Sequence, residues 1–184
     1  MNEWFYDWIR CRNLFPKRSV IVTNRQTFPT FVDMCNTAHL KDMAYISISA
    51  SKECAIEYFH DISEADHYLP DSDNVLNLNF DDITQDFTFK NECGKDVTYH
   101  AISEKQAKLT IEFIEKNIGK NIVIHCRAGK SRSQAICRAI YDCYGNVYEP
   151  NKFNSYNPCE TQNPDVLAKI KRVFYEKNGM FQEN

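Results

Sequence analysis

Short apolar runs alternate with helical patterns along most of this chain. Ser19-Val20-Ile21-Val22 predicts a strand, and Pro29 to Ala38 a helix. Tyr45-Ile46-Ser47-Ile48 predicts a second strand, after which Ser51 is placed to cap a helix reaching about Phe59. From Val75 to Phe80, the apolar Leu76, Leu78 and Phe80 alternate with Asn77 and Asn79, the mark of a half-buried strand. Ile122-Val123-Ile124 is wholly apolar, as expected of a central strand covered on both faces.

The clearest helix follows His100. Ser103 and Gln106 have capping-box spacing, and Ala107, Ile111, Ile114 and Ile118 then fall on one face, with Gly119 placed to close it. A further helix runs from about Ser131 to Tyr144, stopped by Gly145. Asn163-Pro164 opens a last one, with Asn as cap and Pro in the first turn. Residues 145–162, rich in Asn, Pro and Tyr, predict a loop. Strands alternating with helices, with no repeat or low-complexity linker, predict one α/β domain over residues 1–184 with a mainly parallel sheet flanked by helices.

One stretch breaks the alternation. Phe87 and Phe89 alternate with polar residues, as do Val97 and Tyr99, and Asn91 to Gly94 between them reads as a turn. The pattern predicts a β-hairpin at about 87–99, a candidate flap whose aromatics would either wall a nearby pocket or cover a helix.

Composition adds limits. The 184 residues are 43% hydrophobic and 26% charged, with a formal net charge of −3, so charge gives no reason to expect nucleic acid as a partner. The eight cysteines form no C-x-x-C pair and do not resemble a secreted disulfide framework. Residues 1–10 carry charges among aromatics rather than an apolar signal core, and no apolar run approaches a membrane span. The expectation is a reducing, cytoplasmic setting with no membrane anchor, where a reactive thiolate persists.

Candidate chemistry concentrates in His125-Cys126-Arg127-Ala128-Gly129-Lys130-Ser131-Arg132-Ser133, which leaves a buried strand and opens a helix. A loop there can aim successive backbone N–H groups at one point, and the helix N-terminus adds partial positive charge. That suits a tetrahedral dianion such as phosphate, sulfate or vanadate. Gly129 permits the tight turn. Arg132 can return to the loop mouth and hold two oxygens in its planar fork, with Arg127, Ala128, Gly129, Lys130 and Ser131 forming the rest of the cradle. The same groups stabilise negative charge on Cys126, which can then attack phosphorus directly. Ser133 can donate to the sulfur as it leaves, and His125 braces the loop. No metal or cofactor is called for. A merely structural Cys126 would leave the joint spacing unexplained.

On these residues the chain resembles the cysteine-dependent protein tyrosine and dual-specificity phosphatases. His125-Cys126, Gly129, Arg132 and Ser133 stand at the family's spacing, and the close match covers about residues 74–145. Low-molecular-weight phosphatases carry their loop near the N-terminus, and rhodanese-like enzymes usually lack the flanking His and Ser.

A phosphate ester also needs its leaving oxygen protonated. The strand Val75–Phe80 runs into Asp81-Asp82, beyond the carboxyl end of a strand, where parallel sheets place their sites. The resemblance favours the second, Asp82, over Asp81. Arg25 follows the strand Ser19–Val22 at the same side of the sheet and is a candidate substrate contact.

Arg127 and Lys130 suit highly anionic substrates. Phosphoinositide phosphatases resembling this family carry basic residues at both positions, usually Lys, with Gly where Ser131 stands here. The leading expectation is a phosphorylated protein or peptide, as phosphotyrosine with phosphoserine or phosphothreonine as further substrates. A phosphoinositide or RNA 5′-phosphatase is the runner-up. A silent phosphoprotein-binding module would have lost the Cys, the Arg or the acid, and all three are present.

Overall fold

The computed structural model describes residues 18–150 and 162–180. Strand and helix alternate from the start: β1 (Arg18–Asn24), α1 (Phe28–Thr37), β2 (Met43–Ser49), α2 (Lys52–Glu57), a 3-10 turn (Ile62–Ala65) and β3 (Val75–Asn79). A hairpin of β4 (Phe87–Lys90) and β5 (Asp96–Tyr99) intervenes. Then come α3 (Glu104–Lys116), β6 (Asn121–Cys126), α4 (Arg132–Tyr144), β7 (Tyr148–Pro150) and α5 (Pro164–Lys177).

Five strands form one sheet in the order β3-β2-β6-β1-β7, and every neighbouring pair is parallel. The α/β architecture read from the alternation is the one the chain adopts. Side chains point to opposite faces along a strand, so β6 supplies both layers. Ile122 and Ile124 pack with Ile46, Ile48 and Leu78 under Ile111, Ile136 and Ile170 of α3, α4 and α5. Val123 faces the other way, with Ile21, Tyr45 and the α1 residues Phe28, Phe31 and Val32. Continuing the alternation, His125 shares the Val123 face and stacks on Phe28, while Cys126 joins the Ile122 and Ile124 cluster. Each such side chain contributes about 1.5–3 kcal/mol on full burial, so the strand that carries the loop is firmly anchored.

Two details differ from the pattern. The loop expected over 145–162 contains β7, which pairs with the free side of β1 through Arg18↔Tyr148 and buries Tyr148. Among the described residues β7 lies at the edge of the sheet, a place that tolerates Pro150. Residues 151–161 lie outside the described part. Helix α3 ends at Lys116 rather than reaching Ile118, which is 50% exposed. The Asn117 side chain donates to the Phe113 and Asp73 carbonyls and stops the helix there. Gly119 turns the chain two residues later, at φ +85°.

The capping box predicted at Ser103 and Gln106 is formed in both directions. Ser51 caps α2 by accepting from the Cys54 N–H, and Asn163 caps α5 by accepting from the Asp165 and Val166 N–H groups. Among the described residues, no helix is long and apolar enough to cross a membrane.

Candidate active site

The loop between β6 and α4 lies at the carboxyl ends of β1 and β2, because register pairs Asn24 with Cys126 and Ser47 with His125. Its tightness depends on Gly129, at φ +70°. A Cβ there would come within 2.8 Å of the Thr23 carbonyl oxygen, so any side chain is excluded twice over, by conformation and by the closeness of β1. The Arg25 N–H donates to the Arg127 carbonyl at 3.2 Å, and the Gln134 amide to the Gly129 carbonyl at 3.2 Å. The loop is thus tied to β1 on one side and to α4 on the other.

Cys126 is 2% exposed, and its Sγ lies 3.1 Å from the hydroxyl of Ser133, the second residue of α4. Arg132 opens α4 and is buried. Its Nη1 donates to the carbonyls of Phe80 at 2.6 Å and Ser49 at 3.2 Å, and its Cζ stands 5.9 Å from the centre of the Phe80 ring. Its Nε is buried and makes no hydrogen bond within the described protein. One edge of the guanidinium is therefore locked by backbone oxygens while another donor remains for an anion.

The two aspartates after β3 have different fates. Asp81 is buried, and its carboxylate accepts from the Ser51 N–H at 2.9 Å, the Ser51 hydroxyl at 2.7 Å and the His100 N–H at 2.8 Å. It ties the start of α2 to the end of the hairpin. Asp82 is exposed, and among the described residues its Oδ1 alone is engaged, accepting from the Ser131 hydroxyl at 2.7 Å and the Asn163 amide at 3.0 Å. Ser131 belongs to the loop, so Asp82 stands at its mouth. Asn163, legible in the sequence only as a cap, holds the Asp82 segment with the amide that the capping role leaves over.

Arg127, Ala128 and Lys130 are exposed on the loop. The Arg127 guanidinium lies 4.2 Å over the Phe59 ring, and its Nε is 3.3 Å from Glu64. Arg25 is engaged by the chain itself. It donates to the carbonyls of Ser63, Glu64 and Asp66 and pairs with Glu64, so it holds the Ile62–Ala65 turn against β1. Neither Glu64 nor Phe59 has a local sequence signal, since their partners are distant in the chain.

A cavity of about 220 Å³ adjoins Arg132 and Asp82. Tyr58, Phe59, Ile83 and Tyr99 form its walls. Tyr99 comes from the hairpin, whose strands pair antiparallel from Phe87↔Tyr99 to Lys90↔Asp96. Phe89 packs edge-on to Tyr99 with ring centres 5.2 Å apart, and Phe87 stacks on Phe89 at 5.8 Å. Val97 is buried, and Asn91 donates to Glu57 of α2. The hairpin thus covers α2 with one face and walls the cavity with its last residue.

His125 is buried against Phe28 at 4.0 Å between ring centres, and its Nε2 lies 2.7 Å from the Ser47 hydroxyl. Burial pushes its pKa down to about 3, opposed only in part by the Cys126 backbone. The ring stays neutral at every pH where enzymes usually work. A stability consequence follows. The unfolded chain takes up a proton below about pH 6.5 that the folded chain refuses until about pH 3. Stability therefore falls as pH drops through that window. The slope from this one group approaches about 1.4 kcal/mol per pH unit. Urea midpoints measured from pH 7 downward should show a visibly flatter acid slope for His125→Asn than for wild type. Parallel slopes would show that His125 does not carry this penalty.

No family model matches the chain, and no curated protein matches it by sequence. Among solved structures it is similar to the crystal structure of PTPMT1 in complex with PI(5)P. The likeness covers 88% of this chain and 93% of the other, at 12% sequence identity and a TM-score of 0.41.

Proposed function

We propose that this chain is a phosphomonoester hydrolase that works through a phosphocysteine on Cys126, with phosphotyrosine in proteins as its leading substrate. The observation that carries the reading is the junction of Cys126 and Arg132. A buried sulfur with a hydroxyl at 3.1 Å stands at the end of a parallel strand. Seven residues after His125, a buried guanidinium is locked on one edge and has an unspent Nε on another.

The chemistry follows from these positions. The Cys126 thiolate attacks phosphorus in line, an S–P bond forms and the P–O bond to the leaving group breaks. Arg132 and the loop N–H groups take the charge of the equatorial oxygens. Asp82, protonated on the way in, gives its proton to the leaving oxygen. Water then attacks phosphorus and returns a proton to Asp82, the S–P bond breaks, and Ser133 donates to the departing sulfur. Asp81 is left out because its carboxylate already accepts three hydrogen bonds. Arg25 serves the reaction by holding the turn that carries Glu64. The mechanism needs Cys126 reduced, which a cytoplasmic setting supplies.

The aromatic walls of the cavity beside Asp82 and Arg132 favour an aryl phosphate and give the hairpin a share in selection. Arg127 and Lys130, exposed on the loop, support a phosphoinositide as the second reading. The test is a panel under one set of conditions: a small aryl phosphate, tyrosine- and serine-phosphorylated peptides, phosphoinositides and RNA 5′-phosphate ends. The expected order puts the phosphotyrosine peptide first by at least about tenfold in kcat/KM, roughly 1.4 kcal/mol of selectivity. A phosphoinositide at the top would overturn the substrate assignment, and no turnover of any member would overturn the enzyme.

A further inference from the structure

Behind the loop runs a chain of hydrogen bonds that the proposed reaction does not use. Asn79 donates both amide hydrogens, to the carbonyls of Ala50 at 2.9 Å and Ala65 at 2.8 Å, so its oxygen is the atom facing His67 Nε2 at 2.9 Å. His67 Nε2 must then carry hydrogen. His67 Nδ1 lies 2.7 Å from the Ser47 hydroxyl and 3.3 Å from that of Ser49. The Ser49 hydrogen is committed to the Asp66 carbonyl at 2.7 Å. Ser47, fully buried, therefore has His67 on one side and His125 Nε2 on the other, each at 2.7 Å.

One hydroxyl between two imidazoles allows two arrangements. With His67 neutral, Ser47 donates to its Nδ1 and accepts from His125 Nε2–H. His125 Nδ1 is then a bare lone pair, buried and without a hydrogen-bond partner beside the Cys126 backbone. In the second arrangement a proton enters at His125 Nδ1. The Nε2 hydrogen passes to Ser47, and the Ser47 hydrogen passes to His67 Nδ1. One proton has been added, His125 is neutral with its hydrogen now on Nδ1, and the positive charge rests on His67. Every member then has a donor matched to an acceptor, and His125 presents an N–H to the Cys126 backbone.

We propose that His67 is a positioning residue of the loop, and that whether it holds one proton or two decides which nitrogen of His125 carries hydrogen. The proposal rests on the phosphate-loop reading only for its consequence in turnover. His67 is half-buried and can exchange protons with solvent. Burial lowers its pKa and Arg25 acts in the same direction, while the hydrogen bond to Asn79 and the charges of Asp71 and Asp66 oppose them, so the change falls on the acid side of the ordinary histidine range. On the loop side, burial above all, with Arg25 and Arg132 beside it, keeps charge off His125 itself, and the half-buried His67 is the place for it.

The test is long-range ¹H–¹⁵N spectroscopy of the histidine side chains in the full chain, titrated between about pH 8 and 5. In wild type, the pyridine-like nitrogen of His125 is expected to move from Nδ1 to Nε2 as His67 titrates. In Ser47→Ala, His67 should still titrate while His125 holds one tautomer. In His67→Gln, a half-exposed site expected to fold, His125 should hold one tautomer at every pH, and the acid limb of kcat/KM for an aryl phosphate should lose one inflection. A His125 tautomer that ignores the titration of His67 in wild type overturns the proposal. So does a tautomer change that persists in His67→Gln. The nitrogen shifts need no turnover, so an inactive enzyme with the expected shifts would count against the phosphatase reading alone.

Discussion

Cys126→Ser is expected to lower kcat on any phosphomonoester by about 10⁴-fold or more, with the folded loop still binding vanadate or phosphate. A serine hydroxyl is a far weaker nucleophile toward phosphorus than a cysteine sulfur, and losing the nucleophile removes the covalent route outright. Binding survives because the other loop residues and Arg132 do not need the sulfur. Arg132→Ala should lose both, with kcat down by about 10²–10³-fold for the missing donor to the transition state and phosphate affinity weakened as well. Intact-mass analysis after a rapid acid quench should show a phosphoryl adduct on wild type and none on Cys126→Ser. Full activity in purified Cys126→Ser would sink the mechanism. Chelators should leave wild-type turnover unchanged.

Asp82→Ala is expected to slow hydrolysis of alkyl phosphates and phosphopeptides by about 10²–10⁴-fold, and of aryl phosphates with good leaving groups much less. A poor leaving oxygen depends on receiving a proton, while a stable phenolate departs without one. Fold stability should hardly move, since Asp82 is exposed, Ser131 is half-buried and can turn to water, and the buried Asn163 amide keeps the Ile83 carbonyl as an acceptor. Asp81→Ala should do the reverse. It leaves the N–H groups of Ser51 and His100 without their acceptor, at roughly 1–3 kcal/mol each, which corresponds to a fall in Tm on the order of 4–24 °C. Its leaving-group dependence should stay like wild type. Thermal melts alongside a leaving-group series on the two variants separate the roles, and a leaving-group effect confined to Asp81→Ala would move the acid by one position.

The contrast between these two neighbours marks how far the sequence reaches. On an extended segment, adjacent side chains point apart, and nothing local says which one enters the interior. Ser51 and His100, which claim Asp81, and Ser131 and Asn163, which hold Asp82, all come from other parts of the chain. Arg25 shows the same limit. Its place at a strand end was readable, but its engagement by the Ile62–Ala65 turn depends on residues nearly forty positions on. β7 escaped the pattern because a three-residue strand has too few positions to show a period, and its pairing depends on the free side of β1.

What the sequence by itself determined is the alternation of strand and helix and the unit running from Ile122 to Tyr144. The residue types that define that unit lie a few positions apart, although the groups that cover its strand and crowd Gly129 come from elsewhere in the chain. An apolar run must be covered on both faces, a glycine must take the left-handed turn, and a helix must begin where its first N–H groups lack partners. Each requirement falls on residue types a few positions apart, so each leaves a mark in the spacing. Only the tertiary structure decided which carboxylate remains at the loop mouth, which arginine is left with an unspent donor, and how Asn79, His67, Ser47 and His125 join behind the loop. Those outcomes turn on hydrogen bonds between groups dozens of residues apart. A polar side chain looks the same in the sequence whether its partner is water or a buried carbonyl, and the packed fold alone determines which one it meets.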